Sequence, residues 1–281
     1  MKLSDTKHNP KKIDSKINLQ SDERHVLFAK RVLTWYKKYG RHDLVWRHNI
    51  TAYSILVSEI MLQQTQVSRV LPKYTLWMKK YKTLSKLANA PLQEILVLWQ
   101  GLGYQRRAKA LLAIAKSTKQ LPTTEKELLT LPGIGTYTAT AILAFAYNTF
   151  GFMLETNIRT VLIDEFHTKK STVPDTLLKK DLDTLMKLPS VKKVGARIWY
   201  WALMDYGAHL KVNGISHNAR TESYTKQTSY KNSFRKVRAE VLFAITHNEA
   251  LSQDERVPAV LKELHTEGFI TGSTRSGWSI A

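Results

Sequence analysis

The sequence predicts an all-α protein with a small α/β unit at its C-terminal end. Two observations carry that prediction. From Asp22 to Ala208 apolar residues recur at helical spacing, in segments separated by short breaks rich in Gly, Pro and Thr, and strand-like alternation is almost absent. After Ser233 the pattern changes: two helical segments are followed by Gly268-Phe269-Ile270, a turn over Gly272 to Gly277, and Trp278-Ser279-Ile280, which read as strand, turn, strand.

Residues 1–21 are polar, Lys-rich and aperiodic, and are expected to form a flexible basic arm. The first helix starts near Asp22, a candidate N-cap, carries Val26, Leu27, Val32, Leu33, Trp35 and Tyr36 as its apolar stripe, and has Gly40 just past its end. A short loop through Trp46 and Arg47 leads to a helix from about Ala52 to Leu62. Further helices are expected over Val67 to Tyr81, Thr83 to Ala90, Pro91 to Gln100, Gln105 to Lys119, Thr124 to Thr130 and Thr136 to Tyr147. Others follow over Ile158 to Phe166, Leu177 to Leu188 and Val194 to Ala208. Residues 211–232, rich in Ser, Thr, Asn and Lys, read as a basic linker between a domain over 22–210 and a C-terminal domain over 233–281. There, Ser233 to His247 is helical and Ser252 is a candidate cap for a second helix reaching Glu267. Helix, helix, strand, turn, strand is the element order of a winged helix, whose three-helix core needs one more short helix near Leu251 to Val257.

The totals narrow the function classes. Forty-three Lys and Arg against 23 Asp and Glu leave a formal charge of +20. Such an excess points first to nucleic acid, because phosphate contacts release counterions, and second to an anionic membrane surface. No run of about 18 apolar residues is present, and the N-terminus lacks the apolar core of a signal peptide, so a cytoplasmic, nucleoid-associated protein without a membrane partner is expected. The absence of cysteine excludes disulfides, thiolate nucleophiles and Cys-ligated zinc or iron-sulfur clusters. The nine histidines show no spacing typical of a metal site.

The stretch Ser58-Glu-Ile-Met-Leu-Gln-Gln-Thr-Gln-Val67 carries the sharpest chemistry. Among the neighbours of Glu59 three and four residues away, Ile55, Leu56 and Leu62 are apolar and Gln63 is polar, which puts a carboxyl group on an oily face. Burial without a countercharge would raise its pKa and let it act as a general acid near neutral pH. Gln63, Gln64 and Gln66 each offer a donor and an acceptor, suited to the edge of a nucleobase. The same stretch also reads as a core helix with a structural glutamate followed by a polar turn. Gly101-Leu102-Gly103-Tyr104 forms a tight turn that either presents Tyr104 outward or packs it underneath. Leu131-Pro132-Gly133-Ile134-Gly135 reads as a hairpin whose bare amides, just before a helix N-terminus, can hold a phosphate or simply join two helices.

Taken together with Leu33-Thr34-Trp35-Tyr36, Tyr39-Gly40-Arg41, Trp46-Arg47 and Leu87-Ala88-Asn89-Ala90-Pro91-Leu92, these motifs resemble the helix-hairpin-helix DNA glycosylases from about residue 22 to 210. Within that superfamily they resemble the MutY-type adenine glycosylases. The resemblance implies two helical lobes with DNA crossing a cleft, and removal of a flipped-out adenine mispaired with 8-oxoguanine or guanine. It makes Glu59 the acid that protonates the departing base. Gln64 and Tyr104 match positions that insert into the stack around the orphaned base, and Leu62, Gln63, Arg47, Gly133, Gly135 and Thr136 are further implied DNA contacts. Double-stranded DNA with a mispaired or damaged base is the implied partner of a monomer.

Several positions depart from the family. The carboxylate expected beside the sugar is an aspartate followed by Gly and Asn; here Glu155-Thr156-Asn157 stand there, one methylene longer, with Thr156 available to cap the next helix. Tyr137 occupies the position of the lysine used by lyase-competent members, which implies a monofunctional enzyme, with Lys109 and other nearby amines open to weak incidental strand cleavage. Met204-Asp205-Tyr206-Gly207-Ala208 match the segment that precedes the family's four-iron cluster, but no cysteine follows, so no cofactor is expected. The basic loop from Lys211 to Lys231 is expected to contact phosphates instead. The family's 8-oxoguanine-recognising C-terminal module is replaced by the winged-helix-like unit. Three alternatives stay open: a glycosylase for thymine or a damaged base, a DNA-binding homologue with weakened catalysis, and a basic membrane-surface protein.

Overall fold

In a computed structural model of the chain, residues 21–222 and 229–281 are described. Residues 1–20 of the expected basic arm, and residues 223–228 of the expected linker, lie outside them; Ser21 opens α1. In chain order the elements are α1 (Ser21–Tyr39), α2 (Ala52–Leu62), α3 (Val67–Lys80), α4 (Leu84–Ala88), α5 (Leu92–Trp99), α6 (Arg106–Ser117), α7 (Glu125–Leu128) and α8 (Thr136–Tyr147). These are followed by α9 (Thr156–Phe166), α10 (Asp175–Lys187), α11 (Pro189–Val212), α12 (Phe234–His247), α13 (Val257–Thr266), β1 (Ile270–Ser273) and β2 (Gly277–Ile280). Helix starts follow capping chemistry where the sequence supplies it. Thr83 and Thr124 accept from the amides of Lys86 and Glu127, and the Thr124 hydroxyl also donates to the Glu127 carboxylate.

Contacts divide the described residues into two compact units, one drawn from 21–52 with 136–222, the other from 53–135 with 229–281. Chain order alone groups 22–210 and 233–281; spatial contact instead puts the C-terminal residues with 53–135, because α12 packs on α5.

In the first unit α11 is the central element, packed against α1, α8, α9 and α10 over a core of Phe28, Phe145, Leu162, Trp199 and Tyr200. Two glycines shape it. Gly195, at φ 81°, breaks α11 where a Cβ would lie 2.4 Å from the Asn148 amide. A Cβ on Gly207 would come within 2.4 Å of the Asn157 carbonyl, so its absence lets α11 touch the start of α9.

In the second unit α6 packs on α4 and α5, and the indoles of Trp77 and Trp99 meet edge to face at 5.6 Å. Helix α12 packs on α13, and the antiparallel strands pair Ile270 with Ile280 and Ser273 with Gly277.

Several boundaries differ from those expected of the sequence, α10 beginning at Asp175 and α11 at Pro189 among them. Asp22 lies inside α1, not before it. Helix α11 continues past Ala208 to Val212. The last helix begins at Val257 with Pro258 in its first turn, so Ser252 caps nothing and no helix occupies 251–256; Arg256 instead closes a turn on Asp254. Among the described residues no helix is long and apolar enough to cross a membrane.

Candidate active site

Helix α2 is apolar on every side: Ile55, Leu56, Val57, Ile60 and Met61 are at most 1% exposed. Glu59 sits among them at 5% exposure, on the inside as its neighbours in sequence require. The helix ends at Leu62 and the chain turns through Gln63 and Gln64, the latter exposed and held at φ 55°.

A residue the sequence reading passed over fixes that turn. The guanidinium of Arg107 donates to the carbonyls of Ile60 (2.7 Å), Met61 (3.3 Å) and Gln63 (2.6 Å), three acceptors that the end of α2 leaves without helical partners. Its second amino group donates to Thr65 Oγ1 and to the carbonyls of Leu102 (2.9 Å) and Gly103 (3.1 Å). One side chain therefore ties the Gln63-Gln64 turn to the Gly101–Tyr104 turn. Burial drives the Arg107 pKa down to about 10, still protonated at neutral pH. An arginine opening a helix usually reads as a solvated charge, and only its position opposite two turns shows otherwise.

Tyr104 lies half-buried at φ 49°, with the guanidinium carbons of Arg107 and Arg235 at 5.3 and 5.6 Å from its ring centroid. Arg235 also donates to its hydroxyl. The tyrosine is thus neither fully presented nor packed beneath the turn.

In the first unit, Glu155 is itself the N-cap of α9. Its Oε1 accepts from the main-chain amides of Asn157 and Ile158, both at 2.8 Å, and Oε2 accepts from the Asn157 side chain at 3.0 Å. Glu155 and Asn157 are therefore brought together as expected, whereas Thr156 is not the cap. Its hydroxyl instead lies between Glu155 Oε2 and the Lys211 ammonium, which donates to it at 2.9 Å. Burial pushes the Glu155 pKa above the ordinary carboxylate range, while the two amides, Lys211 and the Thr156 hydroxyl pull it back. Lys211 answers in kind: burial lowers its pKa and Glu155 raises it.

The other expected site residues divide. Gly133 (φ 75°), Gly135 and Thr136 are exposed, and a Cβ on Gly133 would lie 2.8 Å from that of Ala110, so the Leu131–Gly135 turn needs glycine there. Leu62, Gln63 and Tyr137 are half-buried. Arg47 does not face outward for DNA. Its side chain is 5% exposed, bonds both oxygens of the buried Asp205 at 2.7 and 2.8 Å, and lies over the Trp201 ring. Asp205 also accepts from Arg41, and these arginines hold its pKa below the usual range against the opposing effect of burial. Lys109 is no loose amine: it donates to the carbonyls of Glu267 and Gly268. Lys211 belongs to α11 and to Glu155, not to a phosphate-binding loop.

The chain after α11 is held by the protein itself. His217 bonds Asp164, Arg220 donates to the carbonyls of His167, Thr168 and Lys170, and Thr221 bridges to Val173. The thiolates that a Cys-ligated iron-sulfur cluster needs are not in this chain, so its residues do not fit that group.

Comparison with known proteins adds the following. Residues 57–188 match the model described as HhH-GPD superfamily base excision DNA repair protein. The chain is 36% identical over 189 residues to an adenine DNA glycosylase of Buchnera aphidicola, covering 65% of this chain and 52% of that one. It is 39% identical over 183 residues to an adenine DNA glycosylase of Mycolicibacterium smegmatis (63% and 61%), and 40% identical over 149 residues to one of Rattus norvegicus (48% and 29%). The chain thus spans about half the length of the curated relatives it matches. Among solved structures, a thermostable thymine-DNA glycosylase superposes with a TM-score of 0.56 at 25% identity, over 66% of this chain and 87% of that one. An endonuclease III-DNA covalent intermediate superposes with a TM-score of 0.54 at 18% identity (68% and 88%), a likeness of fold alone.

Proposed function

The chain belongs to the helix-hairpin-helix glycosylase superfamily of base excision repair, as a MutY-type member, and from that premise we propose that it hydrolyses the N-glycosidic bond of adenine mispaired with guanine or 8-oxoguanine in duplex DNA. Glu59, protonated, delivers its proton to a ring nitrogen of the flipped adenine, which makes the base a better leaving group. Breaking the bond leaves positive charge on the deoxyribose. The Glu155 carboxylate, ionised and oriented by Asn157, faces that charge, and water completes the hydrolysis. The exposed amides of the Leu131–Gly135 turn take a backbone phosphate, and the chain's +20 charge draws in the duplex. No lysine stands at Tyr137 and Lys109 is engaged elsewhere, so the enzyme releases base without nicking the strand, and needs no cofactor.

The observation that carries this reading is the holding of Glu155. Three nitrogen donors within 3.0 Å hold a carboxyl group that is one methylene longer than the family's aspartate, which supports its placement beside the sugar. The test is single-turnover base release from duplexes carrying A opposite 8-oxoguanine, A opposite G and T opposite G. Release from the two adenine duplexes alone is expected. Release of thymine alone would replace the reading with that of the thymine-DNA glycosylase whose fold the chain shares, and no release from any duplex would leave only a DNA-binding protein.

A further inference from the structure

Helices α12 and α13 and both strands lie outside residues 57–188, which match the family model. This segment carries little of the charge that would bring it to DNA. Residues 229–281 hold seven Lys and Arg against six Asp and Glu, so nearly all of the +20 lies in residues 1–228. Three of those seven cations are taken by carboxylates of the same segment: Lys236 by Glu240, Arg238 by Glu263 and Glu267, and Arg256 by Asp254. The element order suits a duplex-binding winged helix, but the electrostatics do not.

What the segment does hold is the start of α6. Arg106 donates to both carboxylate oxygens of Glu267, which also accepts from Arg238. Lys109 donates to the carbonyls of Glu267 and Gly268 and lies over the Phe269 ring at 5.0 Å, with the guanidinium of the buried Arg238 at 5.3 Å from the same ring. Between these two stands Arg107, which ties the Gln63-Gln64 turn to the Gly101–Tyr104 turn. Arg235 then reaches the second turn itself: it donates to the Tyr104 hydroxyl and lies over the ring at 5.6 Å. Tyr104 holds φ 49°, a left-handed conformation that a residue other than glycine keeps only where its surroundings fix it. Arg107 fixes the main chain there from inside the family-matching part, and Arg235 fixes the side chain from outside it.

We propose that the C-terminal segment is a brace for this turn and that Arg235 is a positioning residue, holding the Tyr104 ring in the orientation from which it enters the base stack. The proposal rests on the glycosylase reading above, in which that ring meets the duplex. It gives α12 an effect on recognition without a contact to DNA.

The test uses the full chain and two duplexes that differ in one base, with an uncleavable 2′-fluoroadenosine opposite guanine or opposite thymine, so that binding is read whether or not base is released. The wild type is expected to prefer the mispaired duplex. Arg235→Ala should weaken binding to that duplex about tenfold, within the range of one aromatic stacking contact to a base. On the paired duplex the change should be less than about twofold, with the salt dependence unaltered, because no phosphate contact is lost. Arg235→Gln keeps a donor for the Tyr104 hydroxyl but no charge over the ring; it should lose part of the preference, and it replaces Arg235→Ala if that variant does not fold. In a Tyr104→Ala background, where no ring remains to be held, Arg235→Ala should change nothing further. An equal loss on both duplexes with a shallower salt dependence would make Arg235 a phosphate contact and overturn the proposal. A loss that persists without Tyr104, no loss on either duplex, or a wild type indifferent to the mispair would overturn it too. If the wild type prefers the mispaired duplex but releases no adenine, it is the glycosylase reading that fails.

Discussion

Glu59 and Glu155 are the same residue type in opposite settings. Glu59 is buried at 5% exposure in a helix whose Ile55, Leu56, Ile60 and Met61 are buried with it, whereas Glu155 stands at the mouth of a helix with main-chain amides, an asparagine and, through Thr156, a lysine turned toward it. Under the proposed mechanism the first carboxyl group hands over a proton and the second bears the charge, held there by the helix amides, Lys211 and the Thr156 hydroxyl against a burial that raises the Glu155 pKa. At 155 the helix N-terminus puts the amides of Asn157 and Ile158 within reach of the longer glutamate side chain.

The most severe break of this contrast is Glu59→Gln, which keeps shape and burial but removes the proton. Adenine release should fall by about 10³-fold, the scale of a lost general acid, with Tm unchanged or raised. A loss under about tenfold in single-turnover kinetics would remove Glu59 from the chemistry. Next comes Glu155→Gln. Here the amide oxygen still caps α9 but the charge is gone, and release should fall by about 10²-fold. Its stability carries a sign that can be checked. Burial raises the Glu155 pKa in the folded chain, so the folded state binds the proton more tightly than the unfolded one. Wild-type stability therefore declines as pH rises from the ordinary glutamate pKa through the raised one. Glu155→Gln escapes that decline: it should be the more stable protein above the window and lose its advantage below it, measured by urea unfolding across pH. An advantage that grows on acidification would refute the assignment.

A third break acts on the frame around Glu59. Arg107→Met removes a guanidinium that serves five main-chain carbonyls across two turns. Buried acceptors without donors cost about 1–3 kcal/mol each where water cannot replace the donor, and several of these reach solvent after the change. An unfolding free energy lower by about 3 kcal/mol is expected, with Arg107→Lys recovering part of it. A change within about 0.5 kcal/mol would mean that the turns hold themselves.

Arg107 also marks where the sequence stops being legible. Helical periodicity located nearly every element of the chain, and the apolar neighbours of Glu59 foretold its burial, because both are matters of spacing along one helix. Contacts between distant segments leave no such mark. Arg107 opens α6 like any solvated charge, and only the return of the chain beneath two turns gives it six acceptors. Arg47 and Lys109 failed as expected DNA or strand contacts for the same reason: Asp205 and the carbonyls of Glu267 and Gly268 that claim them lie more than 150 residues away. Grouping by chain order likewise could not show that α12 packs on α5. The Glu155 cap was half legible. A carboxylate before a helix was plain from Glu155-Thr156-Asn157, but geometry gave the cap to the glutamate because its extra methylene lets Oε1 swing onto the amides of Asn157 and Ile158.

The smallest expected effect sharpens the contrast most. Lys211 is the cation nearest in role to Glu155, acting through the Thr156 hydroxyl and through its charge, and it helps keep the carboxyl ionised against the effect of burial. Lys211→Met keeps the length and the apolar stem but removes the charge. The Glu155 pKa should then rise further. Because Glu155 works in its ionised form, the acid limb of adenine release must move to higher pH, with the rate well above that limb changed less than about threefold. The same substitution in the Glu155→Gln background should move nothing, since no carboxylate remains to be tuned. A limb that stays in place in the single variant would mean that the helix amides alone keep Glu155 charged. A limb that moves equally in both backgrounds would hand the titration to some other group.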